Sequence, residues 1–220
     1  LPIYVSIVLV VVVTVAIGVI IEKVAYKPLR SAPRMSVMIS AIGVSYLLQN
    51  CALYFTGGLP QIYPTIPFLS EQVQIGSATT KMVTIITPIL TIVLVLLLVL
   101  MIKRTKTGMA MRAVSRDFET SELMGIKINN VISMPFVIGC FLAAIGSLLY
   151  FTNYNSVIPT SGAMPGLKAF VAAVFGGIGS VPGAVIGAFI IGICENIIKG
   201  LGLTEFSDAF TFVLLIVILL

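Results

Sequence analysis

The sequence predicts an all-α fold: a polytopic transmembrane helical protein with a broken or re-entrant helix pair and one short amphipathic helix at the membrane surface. Three observations predict it. Of 220 residues, 59% are hydrophobic and only 10% charged, with a mean hydropathy of +1.16; that composition belongs to membrane proteins rather than soluble domains. The apolar residues fall in runs long enough to cross a bilayer. The charges gather between those runs, above all in Lys103 to Pro135, which holds six of the thirteen Lys and Arg residues and three of the eight acids.

Taken in order, residues 1–21 are unbroken apolar sequence and read as the first span. Glu22, Lys23, Lys27, Arg30 and Arg34 follow, with Pro28 and Pro33 as helix breakers. Residues 35–55 read as a second, more polar span. Its Ser45, Gln49 and Asn50 either line a polar translocation path or cap the outer end of the helix. Residues 56–81 form a Gly/Pro-rich loop. Residues 82–102 are a Leu/Val-rich third span. Residues 131–151 make the fourth, with Pro135 expected in its first turn, where a missing N–H costs little. Residues 209–220 read as a partial span. The chain starts without Met inside one apolar run and stops inside another, so residues 1–220 are expected to be a single transmembrane domain cut at both ends.

Orientation follows from the loops. The connection between spans one and two carries four Lys/Arg and that between spans three and four carries six, against one each in residues 56–81 and 152–168. Alternating topology puts both basic loops on one side, and the positive-inside rule makes that side cytoplasmic. The same clustering explains the net charge of +5 without nucleic acid.

Within the central loop, residues 109–124 have helical apolar spacing. Met111, Val114 and Phe118 fall on one stripe, Arg112, Arg116 and Glu119 on another, and Gly125 is placed to end the helix. This is either a solvated surface helix or a docking element for a cytoplasmic partner.

Residues 168–198 are too long for one ordinary span and too short for two with a loop. Gly176, Gly177, Gly179, Pro182 and Gly183 interrupt them. The expected arrangement is two half-length helices, 168–178 and 183–198, around a break at membrane depth, which is tolerated only where protein or a water cavity surrounds it. One long kinked helix is the alternative. The glycines read G-x-G-x-x-x-G, which misses the dinucleotide fingerprint. Gly183 and Gly187, and separately Gly139, Ala143 and Ser147, are small residues at fourfold spacing, a pattern for close helix approach within the subunit or between subunits. Glu195 and Asn196 lie near the end of an apolar run. They either serve a transport path, or Glu195 is satisfied by Lys199 four residues on. Cys51, Cys140 and Cys194 lack metal-ligand spacing and read as small packing residues. The sequence shows no nucleophile–base pair, metal cluster or phosphate loop. An ion-coupled carrier should carry a mid-span acid, and none is convincingly mid-span. A non-transporting scaffold is the remaining rival, and would bind no ATPase.

Three blocks in order, YKPLRSAPRMSVMISAIGVSYLLQN, GMAMRAVSRDFETSELMGIKINNV and GLKAFVAAVFGGIGSVPGAVIGAFIIGICEN, resemble the H-type permeases (LivH family) of bacterial branched-chain amino acid ABC importers. The resemblance implies a translocation subunit for branched-chain or related hydrophobic amino acids in the bacterial inner membrane, with a permease for urea or short amides as the alternative within the family. It implies a second homologous permease, two cytoplasmic ATPase subunits that use the ATP, and an extracytoplasmic binding protein. It implies no catalysis and no cofactor bound by this chain. ABC importer permeases carry a cytoplasmic E-A-A-x-x-x-G loop that seats on the ATPase. Glu119-Thr120-Ser121-x-x-x-Gly125 resembles it, with Thr and Ser in place of the alanines. The resemblance therefore makes residues 109–124 a coupling helix, with Arg112, Arg116, Glu119 and Gly125 as its contact residues.

Overall fold

The computed structural model describes residues 3–29, 33–64, 71–75, 78–177, 179–204 and 206–219. Leu1 and Pro2 of the first expected span, Arg30 of the first basic loop, parts of the 56–81 loop, Ile178 at the end of the first expected half-helix, and Leu220 lie outside the described residues. Four stretches among the described residues are helices long and apolar enough to cross a membrane: Tyr4–Tyr26, Met82–Arg104, Ile128–Asn153 and Val181–Gly200. The protein is a multi-pass, all-α membrane protein. Its large apolar side chains are mostly exposed, Val8, Val12, Leu96 and Leu97 among them, as expected where lipid rather than a core receives them.

The chain divides into two units, Leu1–Leu94 with Leu100–Pro159, and Val95–Val99 with Thr160–Leu220. In the first, α1 (Ile3–Ile21) runs on into a π-helical turn, Glu22–Tyr26, closed by the Lys27 N–H donating to the Glu22 carbonyl at 2.8 Å. Next, α2 (Arg34–Thr56) stops at Gly57, which takes φ +64. Two further helices, α3 (Met82–Arg104) and α6 (Ile128–Asn153), follow on either side of the central charged segment.

Packing in this unit centres on α1 against α6. Gly18 meets Cys140 so closely that a Cβ on Gly18 would overlap the Cys140 sulfur. Tyr26 lies 4.9 Å from Phe136, ring to ring. Advancing along α1 thus means going backwards along α6, so the two are antiparallel. Cys140 serves as a packing residue. Hydroxyls in the apolar helices bond their own backbone, Thr87 to the Val83 carbonyl at 2.7 Å and Thr152 to that of Leu148 at 2.7 Å, which satisfies them where water is absent. Pro135 is not in the first turn. Helix α6 begins three residues earlier than the expected span, at Ile128, and Pro135 is an interior residue. The Val131 carbonyl therefore lacks its usual i+4 donor.

The loops after α2 and α6 contain strands that apolar periodicity does not reveal. β1 (Gln61–Ile62) pairs antiparallel with β4 (Ser156–Val157), and β2 (Gln72–Ile75) with β3 (Ala78–Lys81). The Tyr63 N–H donates to the Asn155 carbonyl at 3.1 Å, and Lys81 Nζ to that of Asn153 at 3.0 Å. Backbone pairing thus holds these two loop segments side by side.

In the second unit, α7 (Ala163–Phe175) and α8 (Val181–Gly200) form a hairpin followed by α9 (Phe206–Leu219). Val171, Ala172 and Ile191 are its buried apolar core, with Phe175 packed on them. The hairpin exists, but its arms are unequal. The first starts five residues before Lys168 and has 13 residues. The second has 20, which at about 1.5 Å per residue is about 30 Å, enough for a full span. The expected second half-helix is therefore a full-length helix, because Val181 and Pro182 already fall in its first turn, where proline is welcome.

Candidate functional site

The central charged segment is two helices, α4 (Lys106–Arg116) and α5 (Phe118–Leu123), not one. The turn out of α3 is tight: a Cβ on buried Gly108 would fall 2.6 Å from Ile102 Cα, and Thr105 caps α4 by accepting from the Gly108 N–H at 3.1 Å. The second break is Asp117, extended at φ −150, ψ 111. Its carboxylate accepts from the Thr120 hydroxyl and from the Thr120 N–H. Those bonds hold the Asp117 carboxyl below the ordinary range, the Thr120 hydroxyl contributing most. Ser121, buried, donates to the Asp117 carbonyl at 2.6 Å. The Thr120 and Ser121 hydroxyls thus both bond Asp117, one at its carboxylate and the other at its carbonyl. The apolar stripe breaks at the same point. Met111 and Val114 are half-buried, whereas Phe118 is exposed.

Gly125 ends α5 as expected. It takes φ +81. Its N–H donates to the Glu122 carbonyl at 2.9 Å, and that of Ile126 to Ser121 at 3.2 Å, the paired bonds of a Schellman cap. Of the other expected contact residues, Arg116 and Glu119 point to solvent. Arg112 is exposed yet donates to the Lys103 carbonyl at 3.3 Å, tying α4 to the end of α3. Glu119 lies in the first turn of α5, where the helix dipole favours a carboxylate. Beside it, Leu123 is 88% and Met124 80% exposed, the apolar ends of a surface otherwise made of charges.

At the glycine break, backbone meets backbone. A Cβ on Gly176 would overlap the Gly183 carbonyl, and one on Gly183 the carbonyl of Gly176; one on Gly187 would lie 2.7 Å from the Ala172 oxygen. The Gly183/Gly187 pair is therefore consumed inside the hairpin. Gly177 and Gly179 have φ +89 and +100 with open space around them. Ser180 caps α8 by accepting from the Gly183 N–H at 3.2 Å. The other small-residue stripe divides: Gly139 and Ala143 face outward, while its neighbour Ala144 is buried.

Glu195 is buried in a charged cluster. Lys168 Nζ is 2.8 Å from its Oε1, and Thr211 Oγ1 donates to the same oxygen at 2.8 Å. Lys199, the partner nearest in sequence, reaches only to 3.8 Å. The remaining polar candidates bond along their own helices: Gln49 Nε2 to Ser45 Oγ at 3.2 Å, Asn50 Nδ2 to the Tyr46 carbonyl at 2.8 Å and Asn196 Nδ2 to the Gly192 carbonyl at 2.8 Å. Asp117, Lys168, Asp208 and Thr211 were not singled out from sequence. The one signal for Asp117 was its type, an N-cap former, three residues ahead of Thr120.

Apolar spanning helices, a glycine-broken hairpin with internal ion pairing and a capped helix pair between two spans define a multi-pass membrane protein. The chain belongs to the family described as branched-chain amino acid transport system / permease component, whose sequence profile matches residues 1–219. It is 37% identical to the high-affinity branched-chain amino acid transport system permease protein BraD of Pseudomonas aeruginosa, over 96% of this chain and 69% of BraD. It is 38% identical to LivH of Escherichia coli strain K12, a permease of the same description, over the same shares of the two chains. The Salmonella typhimurium LivH is 37% identical over 93% and 68%. No solved structure matches the chain.

Proposed function

We propose that this chain is the translocation subunit of an ATP-driven importer for branched-chain or related hydrophobic amino acids in the bacterial inner membrane. The observation that carries this reading is the family match along residues 1–219, with relatives named as high-affinity branched-chain amino acid permeases. A second homologous permease completes the path, two cytoplasmic ATPase subunits bind and hydrolyse the ATP, and an extracytoplasmic binding protein delivers the substrate. The chain itself binds no cofactor. Exposed Ser45 and Asn50, with Gln49, supply polar groups to the path.

The cytoplasmic helix pair supports the coupling role. It is short, capped at both ends and held to α3 through Arg112, so a push on α5 moves the segment as a body instead of bending it. Arg116, Glu119, Leu123 and Met124 form the surface the ATPase receives, and Gly125 sets the angle at which the chain returns to the membrane. The test is reconstitution of the permease pair, ATPases and binding protein in liposomes. ATP-dependent uptake of labelled leucine is expected. An assembled complex that hydrolyses ATP and moves urea or short amides but no leucine would overturn the substrate class.

A further inference from the structure

A second cytoplasmic feature lies apart from the α5 docking surface. Between α4 and the first two turns of α6 is a groove of about 380 Å³, lined by Lys106, Thr107, Met111, Lys127, Val131 and Met134. Its lining is mostly apolar, with Lys106, Thr107, Lys127 and Asn130 as the polar members, and Val131 and Met134 belong to a helix long and apolar enough to cross a membrane. The groove thus brings two basic side chains together with the start of an apolar helix. No acidic side chain lines it. Lys127 also borders a neighbouring hollow that includes Glu122, yet neither Lys106 nor Lys127 forms an ion pair with a described carboxylate. The first turns of α4 and α6 open on the same groove, which favours the same sign of ligand charge.

We propose that this groove binds an anionic phospholipid of the cytoplasmic leaflet, its headgroup phosphate between Lys106 and Lys127 and the start of an acyl chain on Met111, Val131 and Met134. Charge complementarity selects the occupant. Two ammoniums with no ion-pair partner among the described residues call for an anion, and the apolar lining calls for one that carries a hydrocarbon tail. A protein partner is the weaker fit, because Glu119, Leu123 and Met124, which form the proposed ATPase-facing surface, do not border the groove.

The experiment uses the full-length permease purified in detergent, with lipid retention read by native mass spectrometry. Phosphatidylglycerol is expected to bind in preference to phosphatidylcholine. The preference falls about 5-fold for each lysine neutralised in K106Q and K127Q, and persists in the K106R/K127R double variant. Free inorganic phosphate at millimolar concentration does not displace the lipid. Four results overturn the proposal: equal retention of the two lipids, unchanged preference in K106Q/K127Q, displacement by inorganic phosphate alone, or a K106Q/K127Q variant that loses ATPase binding while keeping its lipid preference.

Discussion

Lys168 Nζ stands 2.8 Å from Glu195 Oε1 and 2.7 Å from Asp208 Oδ1, so one ammonium joins α7 to both α8 and α9. Thr211 donates a further hydrogen bond to the same Glu195 oxygen. Removing the lysine leaves a buried carboxylate without its closest cation, which typically costs about 3–5 kcal/mol. Lys168→Met is therefore expected to lower the thermal midpoint of the purified permease sharply. Lys199→Ala is expected to cost about 0–1 kcal/mol, as for an exposed pair. Equal effects would mean that Lys199 is the working partner after all.

The glycine break separates steric from conformational demands. Gly176→Ala is expected to damage folding and uptake most, because its new methyl overlaps the Gly183 carbonyl. Gly179→Ala has room but sits at φ +100, a strain of about 1–3 kcal/mol. Gly192→Ala, in open space within α8, is expected to behave as wild type. Thermal midpoints and uptake should rank the three in that order.

Acid should loosen α5 before the spans. The Asp117 carboxyl is held below its ordinary value by Thr120, so its contribution to the cap is complete above the unfolded aspartate pKa, about 3.9, and disappears as pH falls through the lower, folded value. Amide exchange at Thr120 and Ser121 is expected to accelerate in that acid window and not between pH 5 and 8. In Asp117→Ala the exchange should be fast throughout and insensitive to pH after correction for intrinsic rates.

Coupling can be divided between geometry and contact. Gly125→Val forces a β-branched residue to φ +81 and breaks the Schellman cap, so substrate-stimulated ATPase activity in the reconstituted complex should fall further than in Glu119→Ala, which removes one exposed carboxylate. Full stimulated hydrolysis and uptake in both variants would show that α5 is a solvated turn and not the coupling element.

The expected second span is present as a helix, Arg34–Thr56. The long apolar helices at Tyr4–Tyr26, Met82–Arg104 and Ile128–Asn153 and the glycine interruption between α7 and α8 were legible in the sequence because lipid imposes one simple demand, an uninterrupted apolar run, and glycine answers another. Three features were not. The split at Asp117 is hidden because Met111, Val114 and Phe118 keep helical spacing across it. The Lys168 cluster is hidden because its members come from three helices, while Lys199 is conveniently four residues from Glu195. The β1–β4 pair is two residues deep and closes a long loop, so no local periodicity announces it. Spacing alone put Arg112, Arg116 and Glu119 on one stripe and Gly125 at the helix end, while the proposed coupling role of these residues came only from the family resemblance. Physics then accounts for their placement, with a cap at Asp117 on one side and at Gly125 on the other.

The Gly176–Gly183 contact also bears on how this hairpin can change over time. At most interfaces a bulky replacement on one side is offset by a smaller residue on the other, and the two positions drift together. Here both partners already lack a side chain, so neither has anything left to give up. The pair has no compensating substitution, so no correlated changes are expected at these two positions among homologues. A search for contacts by covariation will register the peripheral neighbours of this hairpin and pass over its centre.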